Sequence, residues 1–131
     1  MNQIDENKAF VTEMITQKKR LEDYPGKASK ALIIYEPASL PFGGIYQGMK
    51  EFQKFYPKVR QYYDFSTFEV LSIHADGNVV FATIKTRTAK DHRPLLLCER
   101  MEFTGGKLSK VQLFMLDFAA GTEPAEFQSN P

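Results

Sequence analysis

Pro41-Phe42-Gly43-Gly44-Ile45-Tyr46-Gln47-Gly48 (PFGGIYQG, residues 41–48) stands between two different kinds of chain. Before it, SKALIIYE (residues 29–36) carries the apolar run Ala31 to Tyr35 and reads as a short strand. After it, Met49, Phe52, Phe55, Tyr56, Val59, Tyr62 and Tyr63 recur at helical spacing. Pro41 has no amide proton and a fixed φ, so it ends a ladder. Gly43 and Gly44 permit positive φ or close backbone approach. A strand turns sharply here and hands over to a helix. The turn carries Phe42, Ile45 and Tyr46, which form either the rim of a pocket or the small core of an ordinary loop. Pro57 falls inside the helical stripe and is expected to kink or split the helix.

Toward the N-terminus, Phe10, Val11, Met14, Ile15 and Leu21 mark a first helix over residues 7–21. Asp5 or Asn7 is a candidate cap, with the first six residues frayed. Lys18, Lys19 and Arg20 read as its solvated last turn, where cations suit the helix dipole. Toward the C-terminus the period changes to two. Runs from Phe65 to Ala75, Val79 to Thr88, Leu95 to Thr104 and Lys107 to Phe118 are separated by Asp76-Gly77-Asn78, by the polar loop 90–94, and by Gly105-Gly106. Strands joined by turns this short make an antiparallel meander. Residues 119–131 contain Gly121, Pro124 and polar side chains and read as a disordered tail. Helices followed by a meander of long strands is the α+β pattern. A strongly twisted sheet of this length curls, takes helices into its concave side and leaves a cone that can hold a pocket.

The bulk numbers narrow the partners. Seventeen basic residues against sixteen acidic give a net charge of +1, which argues against nucleic acid or an anionic membrane. No apolar run approaches the ~20 residues of a membrane span. The polar start, MNQIDENKAF, is unlike a signal peptide. A single Cys98 forms no internal disulfide and fits a reducing, cytoplasmic setting. Eleven Phe and six Tyr suit a dense core or an apolar cavity. The 131 residues read as one domain, its core about residues 7–118.

The order helix, short strand, PFGGIYQG, helix and four-strand meander resembles the nuclear-transport-factor-2-like superfamily, and within it the SnoaL-like group. The turn is similar to the family's P…G-x-Y-x-G stretch, and Phe103-Thr104-Gly105-Gly106-Lys107-Leu108 to its D-G-K-I hairpin. The resemblance covers about residues 7–118. It departs in one place: members usually carry a second helix before the first strand, and residues 21–30 are too short for much of one. The resemblance implies a cone-shaped roll, in which a four-strand meander plus a short N-terminal strand curves around helices on its concave face. It also implies a homodimer through the convex face. Relatives include ketosteroid isomerase, scytalone dehydratase, limonene epoxide hydrolase and polyketide cyclases, alongside many non-enzymatic members, so fold does not decide function.

Registering the hairpin at Gly106-Lys107 places Leu95, Leu97, Glu99, Met101 and Phe103 on one face with Val111, Leu113, Met115 and Asp117. The cyclases' mid-strand carboxylate matches Leu113, and a cyclase His matches Glu99, so the cyclase mechanism does not carry over. Glu99 and Asp117 remain as candidate catalytic groups. A carboxyl among Leu97, Met101, Leu113 and Met115 is desolvated, which raises its pKa toward neutrality and makes it a general acid or base. The alternative for Glu99 is an ion pair with Arg87 or Lys85; for Asp117, a cap or turn role. Tyr35 and Tyr46 are candidate hydrogen-bond donors, and Phe42, Phe55, Leu97, Met101, Leu113 and Met115 candidate binding residues. His74 and His92 read as surface residues, and Cys98 as sheet packing on the opposite face. No spacing resembles a metal site, and no phosphate loop, nucleophile elbow or dinucleotide fingerprint occurs, so no cofactor is expected. Three readings stand: a cofactor-free isomerase, cyclase or dehydratase acting on a small hydrophobic carbonyl compound; a non-catalytic module binding a hydrophobic small molecule; and a dimeric interaction domain with a filled core. On the opposite face, Cys98, Phe114 and Leu116 would be covered by a second copy.

Overall fold

The computed structural model describes residues 2–118 and 122–127 of the chain. Its elements, in order, are α1 (Gln3–Thr16), a short 3-10 turn at Leu21–Asp23, β1 (Ala28–Glu36), β2 (Gly44–Gln47), α2 (Gly48–Tyr62), β3 (Glu69–Asp76), β4 (Val79–Arg87), β5 (Pro94–Thr104) and β6 (Lys107–Asp117). The four-strand meander and the two strands before it form one six-stranded sheet in the order β2-β1-β6-β5-β4-β3. Among these pairs β1 runs parallel to β6, and the others are antiparallel. The sheet is open, and bulges at residues 28/33, 70/72 and 102/103 bend its strands. No helix among the described residues is long and apolar enough to cross a membrane.

Alternation decides which side each strand buries. In β4, Val80, Ala82, Ile84 and Thr86 are buried, whereas Phe81 between them is exposed. In β5, Leu95, Leu97, Met101 and Phe103 are buried on the same concave side. The helices cover that side, α1 over β3 and β4, and α2 over β1 and β2. Val11 on α1 and Phe55 on α2 are the side chains they drive deepest into the core.

Several local readings change. Helix α1 starts at Gln3 because the Asn2 side chain caps it, accepting from the Asp5 amide at 2.8 Å. Asn7, a candidate cap by sequence, is instead buried inside the helix, where its carbonyl oxygen accepts from Gln3 Nε2 at 2.8 Å. The helix ends at Thr16, so Lys18, Lys19 and Arg20 lie beyond it rather than in its last turn. Helix α2 runs unbroken through Pro57, which is exposed on its outer side. Part of the PFGGIYQG turn is itself a strand, β2, added to the edge of the sheet. The turn depends on Gly43: a Cβ there would lie 2.4 Å from the Pro37 carbonyl oxygen and 2.8 Å from Ala38 Cα. In the tail, residues 125–127 form a 3-10 turn; Phe127 is buried, packs its ring on Phe118 at 5.1 Å, and accepts at its carbonyl from Arg87. Residues 119–121 and 128–131 of the tail expected to be disordered lie outside the described residues.

Candidate functional site

The register of three strands sets up the site. Ile34 lies beside Val111 and Tyr35 beside Gln112 in the parallel pair, so the next step brings Glu36 alongside Leu113. Leu113 in turn faces Glu99 across β6 and β5. Glu36, Leu113 and Glu99 therefore form one transverse row, with the two glutamates one strand apart on either side of the leucine. At ~4.8 Å per strand their Cα atoms are about 10 Å apart, and both residues line the same cavity. On the far side of β1, Glu36 pairs with Gly44, which places no side chain beside it.

Both glutamates line an apolar cavity of about 160 Å³. Its wall is made by Ile34, Leu97, Met101, Val111 and Leu113 of the sheet, Phe52, Phe55 and Val59 of α2, and Met14 and Ile15 of α1. Tyr63, which ends α2, also lines it. Its ring is buried and wedged edge-on against Phe42, Tyr62, Phe65 and Phe68. The Tyr63 hydroxyl is buried without a hydrogen-bond partner, and so is Glu36 Oε2. Nor does any hydrogen bond or ion pair reach the Glu99 carboxylate among the described residues. Lys85, a partner considered from sequence, pairs with Glu69 at 3.1 Å, and Arg87 donates to the His92 and Phe127 carbonyls.

Electrostatics follows from this isolation. Burial pushes the Glu36 carboxyl up to about 8, and the Glu99 charge adds to the effect. Burial alone pushes Glu99 up to about 7. The Tyr63 phenol is raised by burial and then by both glutamates, which places its hydroxyl within their field. Near neutral pH the pair therefore holds about one proton between two carboxylates, with a neutral phenol beside them. One group can take a proton while the others donate hydrogen bonds. No group of three or more potential metal ligands occurs among the described residues.

The residues singled out by sequence divide. Glu99, Phe42, Phe55, Leu97, Met101 and Leu113 line the cavity. Met115 packs against the core but is not part of the wall. Asp117 is corrected: alternation puts it opposite Leu95 on the concave side, but at the end of β6, where that side meets solvent. There Arg93 Nε donates to it at 2.7 Å, and the same guanidinium reaches Asp91 and the Tyr62 hydroxyl. Tyr35 is corrected too, because its neighbours Ile34 and Glu36 face the cavity and it faces the other side. Tyr46 stacks on Phe55 at 4.0 Å and spends its hydroxyl on the Phe42 carbonyl at 2.8 Å, so it has no proton to offer a ligand. Cys98 lies half-buried on the convex face opposite Phe114.

The sequence reading missed Glu36 and Tyr63 as site groups. Tyr63 was visible as the last aromatic of the α2 stripe. Glu36 was visible as a charge two residues beyond Ile34 on the same side of a strand, although which strand lay next to it was not.

No protein-family model and no curated protein matches the sequence. Solved structures do match. An NTF2-like protein from Burkholderia thailandensis is 14% identical with a TM-score of 0.66, over 83% of this chain and 89% of that one. A protein of unknown function with a cystatin-like fold from Xanthomonas campestris is 21% identical, with a TM-score of 0.66 over 89% and 92%. A steroid delta-isomerase from Pseudomonas aeruginosa is 15% identical, with a TM-score of 0.68 over 88% and 81%. At these identities the likeness is one of fold: the chain has the NTF2-like, cystatin-like α+β architecture.

Proposed function

We propose that the protein is a cofactor-free acid–base catalyst that moves a proton on a carbon next to the carbonyl group of a small hydrophobic compound. The observation that carries this reading is the Glu36–Glu99 pair: two carboxyls without partners among the described residues, in one row of the sheet with a single strand between them, in an apolar hollow. A hollow meant only to hold an apolar body would do better without them, because a half-buried carboxyl with no partner in an apolar wall costs stability. The roles follow from the two environments. Glu99, the more acidic, is the base that breaks the C–H bond and takes the proton. Glu36, protonated, and the Tyr63 hydroxyl donate hydrogen bonds to the enolate oxygen that develops. Return of the proton from Glu99 to a different carbon completes an isomerisation; loss of a leaving group from the enolate would make the same machinery a dehydratase. A steroid isomerase is among the structural neighbours, but 160 Å³ is close to the ~150 Å³ of a cavity that takes up benzene. The body that enters here is nearer one ring than four.

The test needs no prior substrate. Small cyclic ketones and enones, such as cyclohexanone and 2-cyclohexenone, are incubated with the protein in D₂O, and exchange at the α-carbon is followed by proton NMR. Exchange above buffer that drops at least ~100-fold in Glu99→Gln supports the reading. Binding without exchange supports the non-catalytic module instead.

We also propose a homodimer through the convex face. Phe114 and Leu116 on β6 are 55% and 53% exposed there, beside Cys98 and Leu96 on β5, with Phe81 one strand further on. Exposed apolar side chains grouped in this way on a sheet face call for a cover.

A further inference from the structure

The open side of the cavity is lined by three consecutive cations, Lys18, Lys19 and Arg20, of which the two lysines are exposed. Their placement begins with the end of α1. The Lys18 amide donates to the Ile15 carbonyl at 3.2 Å and the Lys19 amide to the Met14 carbonyl at 2.8 Å. These are the two closing bonds of a Schellman turn. Such a turn needs a left-handed residue, ordinarily glycine, and here that residue is Lys18 with φ +53°. An L-residue is strained in that conformation, which glycine would adopt at less cost.

Lys18 makes no direct ion pair at the mouth among the described residues. Its Nζ donates to the Phe65 carbonyl at 2.8 Å. Asp64, near enough to feel its charge, is already held by the Ser66 amide and hydroxyl. Arg20, by contrast, is matched by Glu22 at 2.5 Å and lies over the Tyr56 ring, and Lys19 reaches Glu13 at 3.9 Å. Arg20 and Lys19 each meet a carboxylate directly, so Lys18 is the cation of this rim that makes no direct ion pair among the described residues, above an apolar hollow that holds the Glu36–Glu99 pair.

We infer that the ligand of this cavity is an amphipathic anion: an apolar body of about one ring fills the hollow, and a carboxylate at the mouth lies against Lys18. Together with the proposed chemistry, on which only the carbonyl end of this statement rests, the substrate class is a small aryl- or alkyl-substituted oxo acid. One ring accounts for a hollow of about 160 Å³, which puts a charged group attached to it at the rim beside Lys18.

The experiment compares 3-phenylpropanoate with its uncharged analogue 3-phenylpropanamide, titrated calorimetrically at pH 6. Wild type is expected to bind the anion at least ~10-fold more tightly, with the preference shrinking as salt is raised. Lys18→Gln should remove most of the preference and leave the amide's affinity unchanged. Lys18→Gly should do the same while raising Tm, because glycine fits the left-handed turn; a lysine with a merely structural role would not couple those two changes. Equal affinity for the two probes in wild type, or a preference that survives both variants, overturns the inference. Failure of α-carbon exchange with the neutral ketones would sink the acid–base reading while leaving this binding preference standing, so the two can fail separately.

Discussion

Glu36 on β1 and Glu99 on β5 occupy the same transverse row of the sheet, separated by Leu113 of β6. They come from positions 63 residues apart (99 − 36). Two strands that are not neighbours in sequence thus deliver two carboxyls to one apolar hollow, where burial raises both and the Glu99 charge raises Glu36 further.

The first consequence is a pH-dependent stability with an unusual sign. Both carboxyls sit above their ordinary value of 4.5 in the folded protein, Glu99 at about 7 and Glu36 at about 8. The native state therefore binds more protons than the unfolded chain between those limits. Stability is fullest below about pH 4.5 as far as this pair is concerned, and drains away as the pH rises through about 7 and about 8. Thermal melts from pH 5 to pH 9 should show Tm falling. Glu36→Gln should flatten the curve and raise Tm at pH 8.5 by roughly 3–5 °C for each kcal/mol recovered. A Tm that climbs with pH over this range, or a variant curve parallel to wild type, would contradict the buried pair.

Tyr63→Phe separates stability from activity. The hydroxyl is buried with no partner in the free protein, so its removal should stabilise the fold by about 1 kcal/mol or leave it unchanged. The same change removes a hydrogen-bond donor to the enolate oxygen, so exchange at the α-carbon should slow by roughly 10-fold or more. Denaturant unfolding and the exchange rate measured on one preparation test both halves. A destabilised variant would mean that the hydroxyl has a structural partner.

Gly43→Ala probes the turn. Its Cβ would run into the backbone of Pro37 and Ala38, which cannot swing aside as a flexible side chain can. A loss of about 1–3 kcal/mol is expected by urea unfolding. Because the same turn carries Phe42 into the cavity wall, ligand affinity should fall with it.

The convex face makes a fourth prediction. Sedimentation should find a dimer for wild type and a monomer for the double variant Phe114→Lys, Leu116→Lys, with unchanged circular dichroism. A wild-type monomer at ~10 μM would leave the exposed stripe unexplained and end the proposal.

Local chemistry made much of the fold readable. The change of period from 3.6 to 2 after Tyr63, together with the turn residues at 76–78 and 105–106, marked strands that the structure places at 69–76, 79–87, 94–104 and 107–117. Strand alternation also put Glu99 among Leu97, Met101 and Leu113. Where the reading failed, a longer-range effect had won. Pro57 sits on the outer side of α2, which continues because its inner aromatic face is held by packing. The four-residue β2 was hidden in a glycine-rich turn because an edge strand needs only one partner, and that partner, β1, supplies the ladder. Asp117 has the right parity but the wrong depth, since alternation gives a side of the sheet and not the distance to its rim.

The sequence by itself determined the two main helices and the five longer strands, which face of the meander strands is apolar, and that Glu99 lies on that face. These depend on the periodicity of neighbouring residues and on the backbone limits of glycine and proline. Only the tertiary structure decided that Glu36 stands level with Glu99, that Tyr63 brings an unpaired hydroxyl to them, and that Arg93 claims Asp117. Those facts depend on β1 lying parallel to β6 and on α2 crossing the sheet, pairings between distant parts of the chain that no local pattern encodes.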